Sequence, residues 1–276
     1  MRATQKIRNV ASQNSLISRF VNRVRRNSPP TGTVFDVSRP RNKTFAAGSF
    51  RDISVSHRGF ESSKWDHYLD IYQLWFEPFR VLALTREIGV VEIGVAQGGS
   101  LEILSNYLGG KAKIVGIDIK SNPNYSELNK NISVVLGDQK DHNVLAQALN
   151  NIPSLDLVID DGSHVSEDQI ATFEYLWPRL ADGGLYLVED LHCAYWPEFS
   201  GGFRKRTSFV EYLKALIDEQ HGWYHRAKSR EPVLKIKESL HSICFHDSIV
   251  ALRKETINPP QRIVLGGVGR EVQNPN

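Results

Sequence analysis

Five short apolar runs punctuate this chain, and each one ends at glycine or at an acidic side chain. They are Val90–Gly94, Lys113–Ile119 with Asp118 near its end, Ile132–Leu136 before Gly137-Asp138, Leu155–Ile159 before Asp160-Asp161, and Leu185–Val188 before Glu189-Asp190. Short continuous apolar runs are what strands covered on both faces require. Helical patterns lie between and around them. Leu101–Leu108 follows Ser100 as a cap and is closed by Gly109-Gly110. A helix from Ser166 carries Ile170, Phe173, Leu176, Trp177 and Leu180 on one stripe, and Ser208 with Glu211 forms a capping box for a helix reaching Gln220. Ahead of the first strand, Lys64–Arg80 places Tyr68, Ile71, Tyr72, Trp75 and Phe76 on one helical face. Ile243–Phe245 and Ser248–Leu252, split by His246-Asp247, predict a terminal hairpin. The alternation predicts an α/β fold with a doubly wound, mostly parallel sheet that ends in an antiparallel hairpin. In such sheets ligands bind outside the carboxyl ends of the strands, where the unusual polar residues of this chain fall.

Composition narrows the class further. The 276 residues are 41% apolar and 24% charged, a globular balance, with no apolar run long enough to span a bilayer and no secretory leader pattern. Two cysteines, Cys193 and Cys244, exclude a disulfide framework and a four-thiolate zinc site, so a reducing, cytoplasmic setting is expected. Charge is unevenly spread: residues 1–44 carry ten Lys/Arg against Asp36 alone. Within that stretch Leu16, Ile17, Phe20, Val21 and Val24 recur at helical spacing among arginines. Such an arm suits contact with nucleic acid or an anionic membrane, and an organellar targeting peptide has the same look; a solvated leader is the plainer reading. Pro29, Pro30 and Gly32 mark a break after it. No catalytic role is expected of the arm.

The first strand-end motif reads Glu92-Ile93-Gly94-Val95-Ala96-Gln97-Gly98-Gly99-Ser100. Glycines at a strand-to-helix turn let backbone approach a ligand. A dinucleotide loop would carry a middle glycine where Ala96 stands, and the acidic Glu92 repels a pyrophosphate while suiting a ligand with an ammonium group. Asp118 at the end of the second strand can accept from ribose hydroxyls, and Asp138-Gln139 after the third can meet a purine edge. Each alone is weak, because aspartate is common where strands turn; their order along the chain is informative.

With these motifs in that order, the sequence resembles class I S-adenosylmethionine-dependent methyltransferases of Rossmann-like fold. The second half is similar to the metal-dependent O-methyltransferases acting on macrolide sugars, on IDDGSH at Ile159–His164, VEDLHCAYW at Val188–Trp196 and the final SICFHDSIVALRK. The same pattern also resembles proteins labelled cephalosporin hydroxylases. The resemblance covers residues 62–256, and the chain departs from it in having only a short basic arm where the macrolide enzymes carry a sizeable N-terminal domain. The chain is expected to comprise a basic, flexible arm over 1–45, a helical segment over 46–85 packing on the core, an S-adenosylmethionine-binding catalytic domain over 86–256, and a tail over 257–276. Cofactor contacts are expected from Glu92, Gly94, Gln97, Gly98, Gly99, Ser100, Asp118, Asp138, Gln139 and Asp160; Asp160, expected to point to the opposite side from Asp161, serves the loop or the cofactor.

Asp161 follows the fourth run and Glu189-Asp190 the fifth. If those strands are neighbours, three carboxylates converge, and a divalent cation removes the repulsion. Oxygen ligands without cysteine favour Mg²⁺ or Mn²⁺ over zinc. The resemblance implies Asp161, Glu189 and Asp190 as the magnesium ligands and His164 as the base that takes a hydroxyl proton, with His192 as competing base or orienting group. A small-molecule or glycoside acceptor with two adjacent oxygens is expected, a sugar diol or a catechol, with Lys64, Tyr68, Tyr195 and Trp196 as candidate acceptor contacts and a homo-oligomer as a possible state. Against this stand a hydroxylase on the same scaffold, which a single histidine beside carboxylates supports poorly unless His192 also ligates, and a non-catalytic cofactor-binding module. A nicotinamide-dependent reductase ranks last, for want of the middle glycine.

Overall fold

The structure, a computed structural model, describes residues 48–226, 234–263 and 265. The basic arm, with its expected amphipathic helix, and residues 266–276 of the tail lie outside the described residues.

Seven strands form one sheet in the order β3-β2-β1-β4-β5-β7-β6, where β1 is Ile88–Ile93, β2 Ala112–Asp118, β3 Ile132–Leu136, β4 Leu157–Asp160, β5 Leu185–Val188, β6 Leu240–Phe245 and β7 Val250–Lys254. The first five pair in parallel; β7 inserts antiparallel between β5 and β6. The expected doubly wound sheet with a terminal antiparallel hairpin is what the chain forms. Seven α-helices are described: α1 Phe50–Ser56, α2 Tyr68–Thr85, α3 Gly99–Leu108, α4 His142–Leu149, α5 Ser166–Leu176, α6 Phe209–Gln220 and the single turn α7 Ile236–Ser239.

Strand alternation divides the core into two apolar layers. Val91, Ile93, Val158, Tyr186 and Val188 face Phe173, Leu176, Trp177 and Leu213 on one side. Val90, Leu157, Ile159, Leu185 and Leu187 face Phe50, Tyr72, Phe76, Leu101 and Leu104 on the other. The Phe50 ring meets Tyr72, Phe76 and Tyr107 edge-on, which ties α1 to α2 and α3. This second layer matters for function, because it brings α2 and the irregular residues before it across the carboxyl ends of β1, β4 and β5.

Several boundaries differ from the sequence reading for local reasons. The helix expected from Lys64 starts at Tyr68, since Asp66-His67 form a turn and the irregular residues before it reach the strand ends through Lys64. Gly98, in the left-handed region at φ 94°, is the N-cap of α3; Ser100 lies inside the helix and does not cap it. At α6, Ser208 Oγ accepts from the Glu211 amide as expected, but the Glu211 carboxylate pairs with Lys214 rather than returning to the cap. Helix α1 falls within the helical segment expected over 46–85, while α4 and α7 are additional; α4 begins where the Asp141 side chain caps the Asn143 amide. No helix among the described residues is long and apolar enough to cross a membrane.

The terminal hairpin is fastened to α2 by Trp75 Nε1, which donates to His246 Nε2 at 2.9 Å. That bond requires a neutral ring, and burial holds His246 below its ordinary value of 6.5. A base with a depressed folded pKa stabilises above its unfolded value and loses that contribution as pH falls through the folded one. The stability gap between wild type and His246→Phe, read from urea midpoints, is therefore expected to narrow between about pH 7 and about pH 5. A gap independent of pH would contradict this role.

Candidate active site

The register of the central strands sets the site. Ile93 lies beside Asp160 and Asp160 beside Val188. The next residues of the three strands, Gly94, Asp161 and Glu189, therefore emerge side by side, with the Asp161 amide donating to Ile93 O and the Glu189 amide to Asp160 O, both at 2.9 Å. Gly94 is at φ +85°, and a Cβ there would stand 2.0 Å from the Asp161 carbonyl oxygen, so only glycine allows the two strand ends to come this close.

Alternation sends Glu92, Asp161 and Glu189 to the face covered by α2, and Asp160 to the other. Asp160 is fully buried there, accepting from Tyr186 Oη at 3.2 Å and from Gln139 Nε2 at 3.4 Å, and burial pushes its carboxyl up to about 7. It lies outside the ligand cavities, and its link to the loop is the Gly162 amide at 3.4 Å.

Three cavities run along the strand ends. One of about 200 Å³ is lined by Gly94, Asp118, Asp138, Gln139, Gly162 and Ser163. A second, about 130 Å³, is lined by Ser62, Lys64, Gly94, Gln97, Ser100 and Asp161. A third, about 330 Å³, is lined by Lys64, Trp65, Tyr68, Asp161, Glu189 and Asp190. Gly94 borders the first two, and Lys64 with Asp161 borders the last two, so the cavities follow one another along a path of shared lining residues from the glycine loop to the carboxylates. Of the expected cofactor contacts, Gly94, Gln97, Ser100, Asp118, Asp138 and Gln139 lie on that path. Glu92, Gly98 and Gly99 do not. Gly99 packs where a Cβ would strike the Phe60 carbonyl, and Glu92 faces a small cavity beneath Tyr72, its carboxyl raised to about 7 by burial.

Asp118 holds the glycine loop closed: Oδ2 accepts from the Val95 and Ala96 amides at 2.9 and 3.0 Å, and Oδ1 from the Lys120 amide at 2.8 Å. A carboxylate has about four acceptor positions, so capacity remains for a ligand hydroxyl. Gln139 is buried in bonds to Thr172 and the Ser163 amide, and so shapes the cavity wall.

At the carboxylate end, Lys64 Nζ sits 2.5 Å from Asp161 Oδ2 and 2.8 Å from Glu189 Oε2. Burial alone would lower the pKa of this amine, but Glu189, Asp161 and Glu92 outweigh burial and keep it charged. Burial pushes the Glu189 carboxyl up, against the pull of Lys64. Tyr68 lines the carboxylate cavity and braces Asp190: its hydroxyl donates to Asp190 Oδ1 at 2.7 Å and receives the Asp190 amide at 3.2 Å. His164 Nε2 faces Asp161 Oδ1 at 3.8 Å and Asp190 Oδ2 at 3.7 Å, while its Nδ1 is buried without a partner. One ligand atom each from Asp161, His164 and Asp190 lie within 4.8 Å of one another, the spacing of a cation's donor set. His192 is turned by Ser248 Oγ, 2.5 Å from its Nδ1, and stands against Trp196. Tyr195 and Trp196 are half-exposed on the short turns after β5, outside the carboxylate cavity.

Ser248 and Trp65 escaped the sequence reading. Ser248 lies in the hairpin turn, and only the antiparallel insertion of β7 beside β5 carries that turn to Asp190. Trp65 is an exposed aromatic with no periodic pattern, edge-on to His192.

Residues 91–191 match the family described as a methyltransferase domain. Fold, glycine loop and acidic strand ends together define a class I methyltransferase domain, and the chain carries one. The chain is 36% identical over 203 residues to the 8-demethyl-8-alpha-L-rhamnosyl tetracenomycin-C 2'-O-methyltransferase of Streptomyces olivaceus, covering 70% of this chain and 52% of that protein. It is 34% identical over 174 residues to the demethylmacrocin O-methyltransferase of Streptomyces fradiae, covering 57% and 43%. The crystal structure of the MycE methyltransferase with Mg, SAH and mycinamycin VI superposes with a TM-score of 0.60 at 25% identity, over 71% of this chain and 51% of that one. The chain thus spans about half the length of the relatives it matches.

Two residues of the site, His164 at φ 57° and Asp190 at φ 50°, adopt the left-handed backbone that side chains avoid. Such conformations cost about 1–2 kcal/mol each and gather where geometry serves chemistry. His164→Gly is expected to melt at or above the wild-type urea midpoint; a clear drop would show that His164 stabilises the fold and carries no strain.

Proposed function

We propose that the chain is an S-adenosylmethionine-dependent, divalent-metal-dependent O-methyltransferase acting on a hydroxyl of a sugar or other vicinal diol in a natural product or glycoconjugate. The observation that carries this reading is the succession of cavities, joined by shared lining residues, from the glycine loop to the carboxylates. When bound, S-adenosylmethionine supplies an electrophilic methyl group, and Mg²⁺ or Mn²⁺ lowers the pKa of the acceptor hydroxyl. Asp118, Asp138 and Gln139 frame the nucleoside end of the cofactor, and Gly94, Gln97 and Ser100 its amino-acid end. Asp161, Glu189 and Asp190 would hold the metal, whose fit rests on the convergence of Asp161 and Asp190 oxygens with His164 Nε2.

His164 would take the acceptor's hydroxyl proton at Nε2, leaving that oxygen free to receive the methyl group the cofactor would supply from its sulfur. Tyr68 fixes Asp190, and Ser248 fixes His192. The geometry also allows His164 to be a metal ligand, with His192 then the base, because its Nε2 belongs to the convergent donor set. The acceptor is a small-molecule glycoside, as in the relatives' names. Residues 86–256 form the catalytic domain, residues 46–85 complete its carboxylate cavity, and the reaction is cytoplasmic.

The test is methyl transfer to methyl α-L-rhamnopyranoside and to catechol, with labelled donor. Asp161→Ala and Glu189→Ala should lose transfer yet retain binding of S-adenosylhomocysteine by calorimetry, and full turnover in excess chelator would remove the metal from the mechanism. His164→Gln should lower the rate by about 10²–10⁴-fold with metal affinity intact if His164 is the base. Loss of metal binding instead would assign it as a ligand.

A further inference from the structure

Lys64 stands beside the convergent Asp161–His164–Asp190 donor set and holds Glu189, the third carboxylate expected to take a cation. Its ammonium bridges Asp161 Oδ2 and Glu189 Oε2, and the lysine side chain is 14% exposed against 2% for Glu189. With the lysine in place, that Glu189 oxygen is taken, while Asp161 Oδ1 and Asp190 Oδ2 stay turned towards His164. A buried ammonium here offsets the mutual repulsion of the strand-end carboxylates, as a bound metal would. One gap between two oxygens holds one cation, and a second positive charge beside Nζ would be repelled at short range in a site shielded from water. The lysine also has room to leave. It borders the acceptor-side cavity, the cofactor-side cavity and the small one, and the residues that carry it belong to no helix or strand.

We propose that Lys64 is a tethered stand-in for the metal: its ammonium and the divalent cation are alternative occupants of the gap between Asp161 and Glu189, and metal binding expels the lysine. The inference rests on the metal-dependent reading above. It implies that the acidic cluster never stands uncompensated, and that metal affinity is set by a competition internal to the chain.

Mg²⁺ is titrated into the full-length protein by calorimetry, without donor or acceptor, for wild type, Lys64→Met and Lys64→Arg. Lys64→Met should bind Mg²⁺ about tenfold more tightly than wild type, within the usual range for coupling between two ligands, and Lys64→Arg should not. Equal affinity in wild type and Lys64→Met, or weaker binding by Lys64→Met, overturns the exchange. Because Lys64→Met leaves carboxylates unpaired and its folding is at risk, a second measurement uses the wild type alone. Acetylation of Lys64 by an amine-reactive ester, followed by mass spectrometry, should rise when Mg²⁺ is added, and labelling unchanged by Mg²⁺ overturns the proposal. Failure of wild type and Lys64→Met alike to bind Mg²⁺ would reject the metal-dependent reading itself, a result distinct from metal binding that is indifferent to Lys64.

Discussion

The hydrogen-bonded register of β1, β4 and β5 is the constraint on which the rest of this molecule depends. Once Ile93, Asp160 and Val188 lie abreast, the chain has no choice but to release Asp161 and Glu189 one strand spacing apart. Two carboxylates so placed, with Glu92 beneath them, repel each other in surroundings that burial makes less polar. Everything that packs over the strand ends answers that repulsion. Helix α2 lays its aromatic face on the sheet, Tyr68 donates to Asp190, and the irregular residues ahead of the helix put the Lys64 ammonium among the acids.

The same edge is where the backbone is least relaxed. Gly94, His164 and Asp190 all take positive φ within a few residues of the carboxylates. At Gly94 the reason is close approach to the next strand. At Asp190 strand alternation would send the side chain away with Asp160, and the left-handed turn brings its carboxylate back towards His164 and Tyr68. A fold that pins these residues with strands on one side and α2 on the other can hold such conformations, which the isolated segments would not adopt.

Much of this was legible in the residues. Short apolar runs ending in acids fix a parallel sheet with its chemistry at one edge, and the two-residue period alone separates Asp160 from Asp161. Helix α4 went unread because His142–Leu149 is only about two turns long, too short for its period to show, and its clear local signal is the Asp141 cap. Ser100 looked like a cap, but Gly98 takes that place through a conformation open to glycine and costly for serine. Tyr68 lines the carboxylate cavity, and its bond to Asp190 adds a bracing role that no local pattern shows.

The sequence by itself determined the sheet, its direction, and the set of carboxylates delivered to its edge, because strand period and turn chemistry are local and act over a few residues. It did not determine what faces those carboxylates. Lys64 and Ser248 lie 97 residues before Asp161 and 56 after His192 in the chain. They reach the site only through the docking of α2 on one sheet face and the insertion of β7 beside β5. Contacts closed over such separations follow from how the layers pack, which no stretch of local pattern encodes.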